Sequence, residues 1–158
     1  MAFAMEHLQF WRVAALGLAI LTPVFPANLI GREQPAIEEL KARVPNASIA
    51  DRPVLCIHIS ELQLGAADRL YVAGDSGQAQ AALADVVAFS ELARDYSIQS
   101  HKHEKQSEIA IRKMARKLAD MKHTVSHDDQ EQVQTTVDRL QRIRDDLLAA
   151  MFPKGNNK

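Results

Sequence analysis

The chain has 158 residues, with 19 Lys and Arg against 20 Asp and Glu and a formal net charge of −1. That balance excludes a global electrostatic preference for nucleic acid, and the length holds at most one domain with accessory segments. Cys56 is the only cysteine, which excludes an intramolecular disulfide and the usual thiolate zinc site; a free cysteine of this kind is expected to be buried.

The first feature in chain order is an apolar run, Val13 to Phe25, preceded by Phe10, Trp11 and Arg12. Pro23, Pro26 and Asn28 interrupt its second half. A spanning helix needs about 20 apolar residues, whereas a signal-peptide core needs about 7 to 15, so the run fits the second better. Residues 1–27 are therefore expected to be a signal peptide or a membrane anchor, with a buried core helix as the third possibility. Glu6 offsets Arg12 in the leading segment, and a cut after Ala27 would leave bulky Phe25 where a small residue is preferred. The expected location is periplasmic or extracellular if the leader is cleaved, and membrane-anchored by residues 13–30 if it is not.

Residues 28–52 read as a linker containing a short helix, Pro35 to Val44, with Pro in its first turn. Asp51 is a good N-cap for the helix that follows, with Pro53 just inside it. That first long helix, about 53–73, places Leu55, Ile59, Leu62, Ala66, Leu70 and Ala73 on one stripe, although its opening VLCIHI also alternates like a strand. Gly74-Asp75-Ser76-Gly77 is the clearest turn.

From Gly77 to Gly155 the only proline is Pro153. The second helix is expected at about 77–123, with Ile111, Met114, Leu118, Met121 and Val125 in a strict a/d series. Ser97, Ser100, Glu104 and Ser107 make the same seam polar at its middle. The third helix, about 127–152, starts behind Ser126, with Asp129 three residues on as in a capping box. Its frame is Val133, Thr136, Leu140, Ile143, Leu147 and Ala150, and residues 153–158 form a disordered tail.

At about 1.5 Å per residue the three helices span roughly 30, 70 and 37 Å, so the outer two together match the middle one. The expected fold is all-α: elongated antiparallel hairpins, with one helix packed on each half of a long central helix. The alternative is a compact four-helix bundle broken near residue 100.

No residue pattern carries catalysis, a cofactor or a metal. His101 and His103, two apart on a helix, point about 200° from each other and cannot hold one metal from a single helix. His123 and His127 have metal-compatible spacing only if helical, and they fall at a turn. Lys102 to Lys122 holds seven basic residues and three acids, while Asp128 to Asp146 holds six acids and three Arg. Those two stretches are expected to neutralise each other as antiparallel neighbours.

Ile98, His101, His103, Lys105 and Ile109 are the candidate interaction surface, because Ile98 and Ile109 lie off the seam of a continuous helix and would be exposed in a monomer. A homodimer through the central helix is expected on that ground, beside an unknown protein partner, with no nucleic acid and with membrane contact only through an uncleaved N-terminal segment.

Ala66-Ala67-Asp68-Arg69-Leu70-Tyr71, Ala73-Gly74-Asp75, Ala79, Ala82 and Leu83 together resemble one helix–turn–helix of a tetratricopeptide repeat. The likeness covers residues 66–83, no second copy follows at the repeat period, and the Trp and Pro positions are unmatched. It implies a helical hairpin and an interaction role. The functional expectation is an exported or envelope-associated, non-enzymatic interaction, adaptor or assembly module. The alternative is a small metal-binding or enzymatic protein using the His101/His103 region.

Overall fold

The structure, a computed structural model, describes residues 30–153. The described residues form α1 (Ile30–Arg43), α2 (Arg52–Val72), α3 (Ser76–Ser100), α4 (Glu104–Met121) and α5 (His127–Met151), with a 3-10 turn at Val44–Asn46 and no strand. The expected leader, 1–27, and the tail beyond Pro153 lie outside the described residues.

The all-α class is observed, and several helix ends form for the reasons the sequence offers. Gly74 adopts a φ of 78°, and the Asp75 amide behind it donates to the Leu70 carbonyl at 2.9 Å, closing α2 with the left-handed glycine such a stop requires. Asp75 then caps α3 by accepting from the Gln78 amide at 3.1 Å. Ser126 caps α5 by accepting from the Asp129 amide. Asp51 occupies the cap position of α2 but makes no capping bond; its carboxylate instead accepts from the Ser48 hydroxyl at 2.6 Å. The strand-like opening of α2 is helical, and Pro53 sits in its first turn.

The long central helix is the main correction. It is two helices, α3 and α4, joined by His101-Lys102-His103, so the arrangement is the alternative one broken near residue 100. His101 and His103 both take left-handed backbone, with φ of 53° and 61°. Such a residue costs about 1–2 kcal/mol when it is not glycine. Tertiary burial offsets that cost. Folding back sends Ile111, Met114, Leu118 and Met121 into one core with Leu64, Ala67, Leu70, Leu83 and Val86. Each such large side chain gains about 1.5–3 kcal/mol on burial.

The result is two antiparallel hairpins, α2–α3 and α4–α5, packed so that α3 meets α5 and α2 meets α4. Ser76 with Asp129, Glu91 with Arg139 and Arg94 with Asp146 advance together along the chain, so α3 and α5 run parallel. In α5, Val133, Thr136, Leu140, Ile143 and Leu147 are buried, as the heptad frame requires, while Ala150, the last member of that frame, is exposed. The segment read as a linker is packed: Ile37 and Val44 of α1 and its following turn join Cys56, Ile59 and Ala93 in a second apolar cluster. Lys41 extends from α1 to Asp85 of α3, Nζ to Oδ2 at 2.8 Å.

The expected neutralisation of α4 by α5 takes a different form. An ion pair between these helices runs the other way, from Arg144 of α5 to Glu108 of α4 at 2.8 Å. Other ion pairs join the two hairpins. Arg139 meets Glu91, Arg94 meets Asp146, and Lys117 meets Asp68.

Candidate interaction surface at the α3–α4 corner

The break in the central helix redistributes the five candidate residues. His101 and Lys105 are exposed, and His101 Nδ1 lies 3.7 Å from Glu104 Oε1. Ile98 packs against the main core and is only partly exposed, and Ile109 is likewise half-buried. Ile98 belongs to α3 and Ile109 to α4, so the shared outer face expected of a continuous helix does not form.

His103 acquires a setting that its sequence neighbours do not reveal. It walls an open groove of about 510 Å³ with Arg43, Asn46, Ala47, Asp51, Val54 and Leu55. The groove lies where the turn after α1 and the first turn of α2 approach the α3–α4 link. Arg52 stiffens this corner: its guanidinium donates to the Pro45 and Ala47 carbonyls at 3.0 and 3.2 Å and lies 5.1 Å from the Tyr96 ring centre. Val54 is 51% exposed and Ile49, in the preceding turn, is 40% exposed, so apolar surface faces solvent beside the groove.

Sequence reasoning missed the α1–α2 side of this groove: Arg43, Asn46, Ala47 and Asp51 fell in the segment read as a linker, and Val54 and Leu55 were read only as the opening of the first long helix. One signal was available. Val54 lies in the first turn of α2 but off the stripe of Leu55, Ile59 and Leu62, which is where an exposed apolar residue is expected.

His123 lies in the turn after α4 and His127 opens α5, both exposed. His127 shares a second open groove, about 700 Å³, with Lys122, Asp128, Gln134 and Asp138 among others. Among the described residues no three His, Cys, Asp or Glu side chains converge as a metal site would require. No helix of the described residues is long and apolar enough to cross a membrane.

The most ordered polar constellation was also unforeseen. Asp129, 4% exposed, accepts from Ser126 Oγ at 2.6 Å, Ser76 Oγ at 2.7 Å and Gln80 Nε2 at 3.1 Å. The hydrogen bonds from Ser126 and Ser76, with Gln80 adding to them, hold the Asp129 carboxyl below its ordinary range. The Tyr71 hydroxyl is buried without a hydrogen-bond partner; burial raises its pKa, and the Asp129 charge raises it further. Only the Ser126–Asp129 spacing was legible beforehand; Ser76 and Gln80 arrive from the other hairpin. The arrangement's hydrogen bonds join the turn before α5 to the start of α3.

No protein-family model matches the chain, and no curated protein or solved structure matches it.

Proposed function

We propose that this chain is a non-enzymatic, envelope-associated helical module that acts by docking a protein partner at the corner where the α1–α2 turn meets the α3–α4 link. The observation that carries this reading is the groove walled by His103 and Val54. It is an open trough with an exposed apolar side and polar residues, Arg43, Asn46 and Asp51, around it. Apolar contact surface with a polar rim suits a protein segment, whereas a small ligand is usually enclosed. The envelope part of the proposal rests on the apolar run Val13 to Phe25, which would either direct export or hold the chain at a bilayer.

Both parts are tested in the native host. A photo-crosslinking residue replaces Val54, His103 or, as a control on α5, Gln141. Adducts with one protein of the envelope fraction from the first two positions, and none from the third, are expected. Equal adducts from all three positions defeat the docking site. Intact mass and tryptophan fluorescence report the leader, because Trp11 is the only Trp and a chain cut after Ala27 has none. A full-length chain in the soluble cytoplasmic fraction defeats the envelope assignment.

A further inference from the structure

We propose that the α3–α4 link is a hinge through which two copies of this chain exchange their α4–α5 hairpins. The partner is a second copy, and the surface that receives its hairpin is the face of α2–α3 that the chain's own α4–α5 covers. This inference goes beyond the function proposed above and does not depend on it.

Four observations point the same way. First, the link is short and strained. His101 and His103 are both non-glycine residues with left-handed φ, at 53° and 61°, separated by one residue. Second, the link caps poorly on its downstream side. His103 stands at the N-cap of α4 with no side-chain capping bond, so the first amides of α4 lack the partner a Ser or Asp would supply. Third, nothing in the sequence forbids a straight helix. No Pro or Gly lies between Gln78 and Phe152, and the seam of α4 continues the frame of α3. Straightening the link makes one helix from Ser76 to Met121, about 70 Å long at about 1.5 Å per residue. It returns His101 and His103 to right-handed backbone and gives the first amides of α4 helical acceptors.

Fourth, the joint between hairpins is complete enough to form in either connection. It contains the Ser76–Asp129 bond, the Glu91–Arg139, Arg94–Asp146 and Asp68–Lys117 ion pairs, and the apolar cluster shared by all four helices. None of these contacts requires its two sides to belong to one chain. Contact between α3 and α4 is about as limited as that between α2 and α4, and far smaller than that between α4 and α5. One buried polar contact there, Ser97 Oγ to Ser107 Oγ at 3.0 Å, lies close to the hinge, where in an exchanged dimer it is remade between copies. Strained short hinge loops favour exchange of this kind because the open form relieves strain and regains every other contact.

The experiment uses the full chain in mild detergent, heated and cooled at high concentration, then analysed by sedimentation. The His101→Gly/His103→Gly variant removes the backbone strain and weakens a continuous helix. The His101→Ala/His103→Ala variant does the reverse. The dimer association constant is expected to be at least about tenfold lower for the glycine pair than for wild type, and higher for the alanine pair.

Connectivity is read separately, so the proposal does not hinge on either variant folding. A chain carrying Glu91→Cys is mixed with one carrying Arg139→Cys, and a short bismaleimide is added after heating and cooling. Links between the two chains are expected in the dimer fraction. A dimer that forms without such links is a side-by-side dimer and overturns the exchange. So does a wild type that stays monomeric at every concentration together with an equally monomeric alanine pair.

Discussion

The Ser76 hydroxyl donates to Asp129 Oδ2 at 2.7 Å, joining the first residue of α3 to the first turn of α5 across a sequence separation of 53. Ser126 donates to the same oxygen at 2.6 Å, so one carboxylate ties the start of each hairpin's second helix to the other's turn. An acid in the first turn of α5 also suits the positive end of that helix. Asp129 therefore serves capping, dipole and inter-hairpin contact at once.

Replacing Asp129 with Ala is expected to cost about 1–3 kcal/mol, because it removes the acceptor shared by two hydroxyls and an amide. The pH dependence follows from the direction of its shift. The folded-state carboxyl lies below the ordinary value of 3.8, so its contribution is complete above that value. It is lost as pH falls through the lower, folded-state pKa. Urea midpoints measured from pH 6 to pH 2 should fall less steeply at the acid end in Asp129→Asn than in wild type. Parallel curves would mean that Asp129 titrates alike in the folded and unfolded chains.

The packing of α5 gives a direct comparison of neighbours. Leu140 is fully buried in the main core, while Gln141 is exposed. Leu140→Ala should cost about 2–5 kcal/mol through the cavity it leaves. Gln141→Ala should stay within about 0.5 kcal/mol of wild type. Chemical denaturation of the two variants checks the pair, and similar losses in both would contradict the assigned face.

Local patterns in the sequence were enough for the helices of α2 and α5, the Gly74 turn and the Ser126 cap, because each depends on residues within a few positions of one another. The break at His101–His103 was not legible in the same way. Its neighbours SIQSHKHEKQSE contain no helix breaker, and the chain turns there because distant apolar residues on α4 must reach α2 and α3. The polar seam at Ser97 and Ser107 did mark the place, although its meaning was the closure of two helices on each other. The candidate surface divides likewise: His101, His103 and Lys105 could be named from sequence, whereas Arg43 and Val54 join His103 only through the packing of α1 and α2.

The single thiol should behave as a buried group. Cys56 is fully buried between α1, α2 and α3, and burial pushes its pKa up to about 11, with the Arg52 charge opposing that shift. At pH 8 roughly one thiol in a thousand is then ionised, and the thiolate is the reactive form. A thiol-specific chromogenic disulfide at pH 8 should label the native protein far more slowly than the urea-unfolded chain, by about a hundredfold or more. Fast labelling of native protein would place Cys56 on an accessible or readily opened surface.

The Ser97–Ser107 contact allows a double-mutant cycle with an unusual expected sign. Both hydroxyls are buried, at 0% and 1% exposure, and lie 3.0 Å apart across the α3–α4 closure. Ser97→Ala alone leaves the Ser107 hydroxyl without that partner, and Ser107→Ala does the same to Ser97. Each single change should cost about 1 kcal/mol, since an unpaired buried hydroxyl keeps its desolvation penalty. The double variant removes both hydroxyls and leaves neither one buried without its partner, so it should lie within about 0.5 kcal/mol of wild type or be slightly more stable. Denaturation midpoints of all four proteins yield the coupling, expected to be of order 1–2 kcal/mol. Additive losses in the double variant would mean that the two serines are held by separate partners.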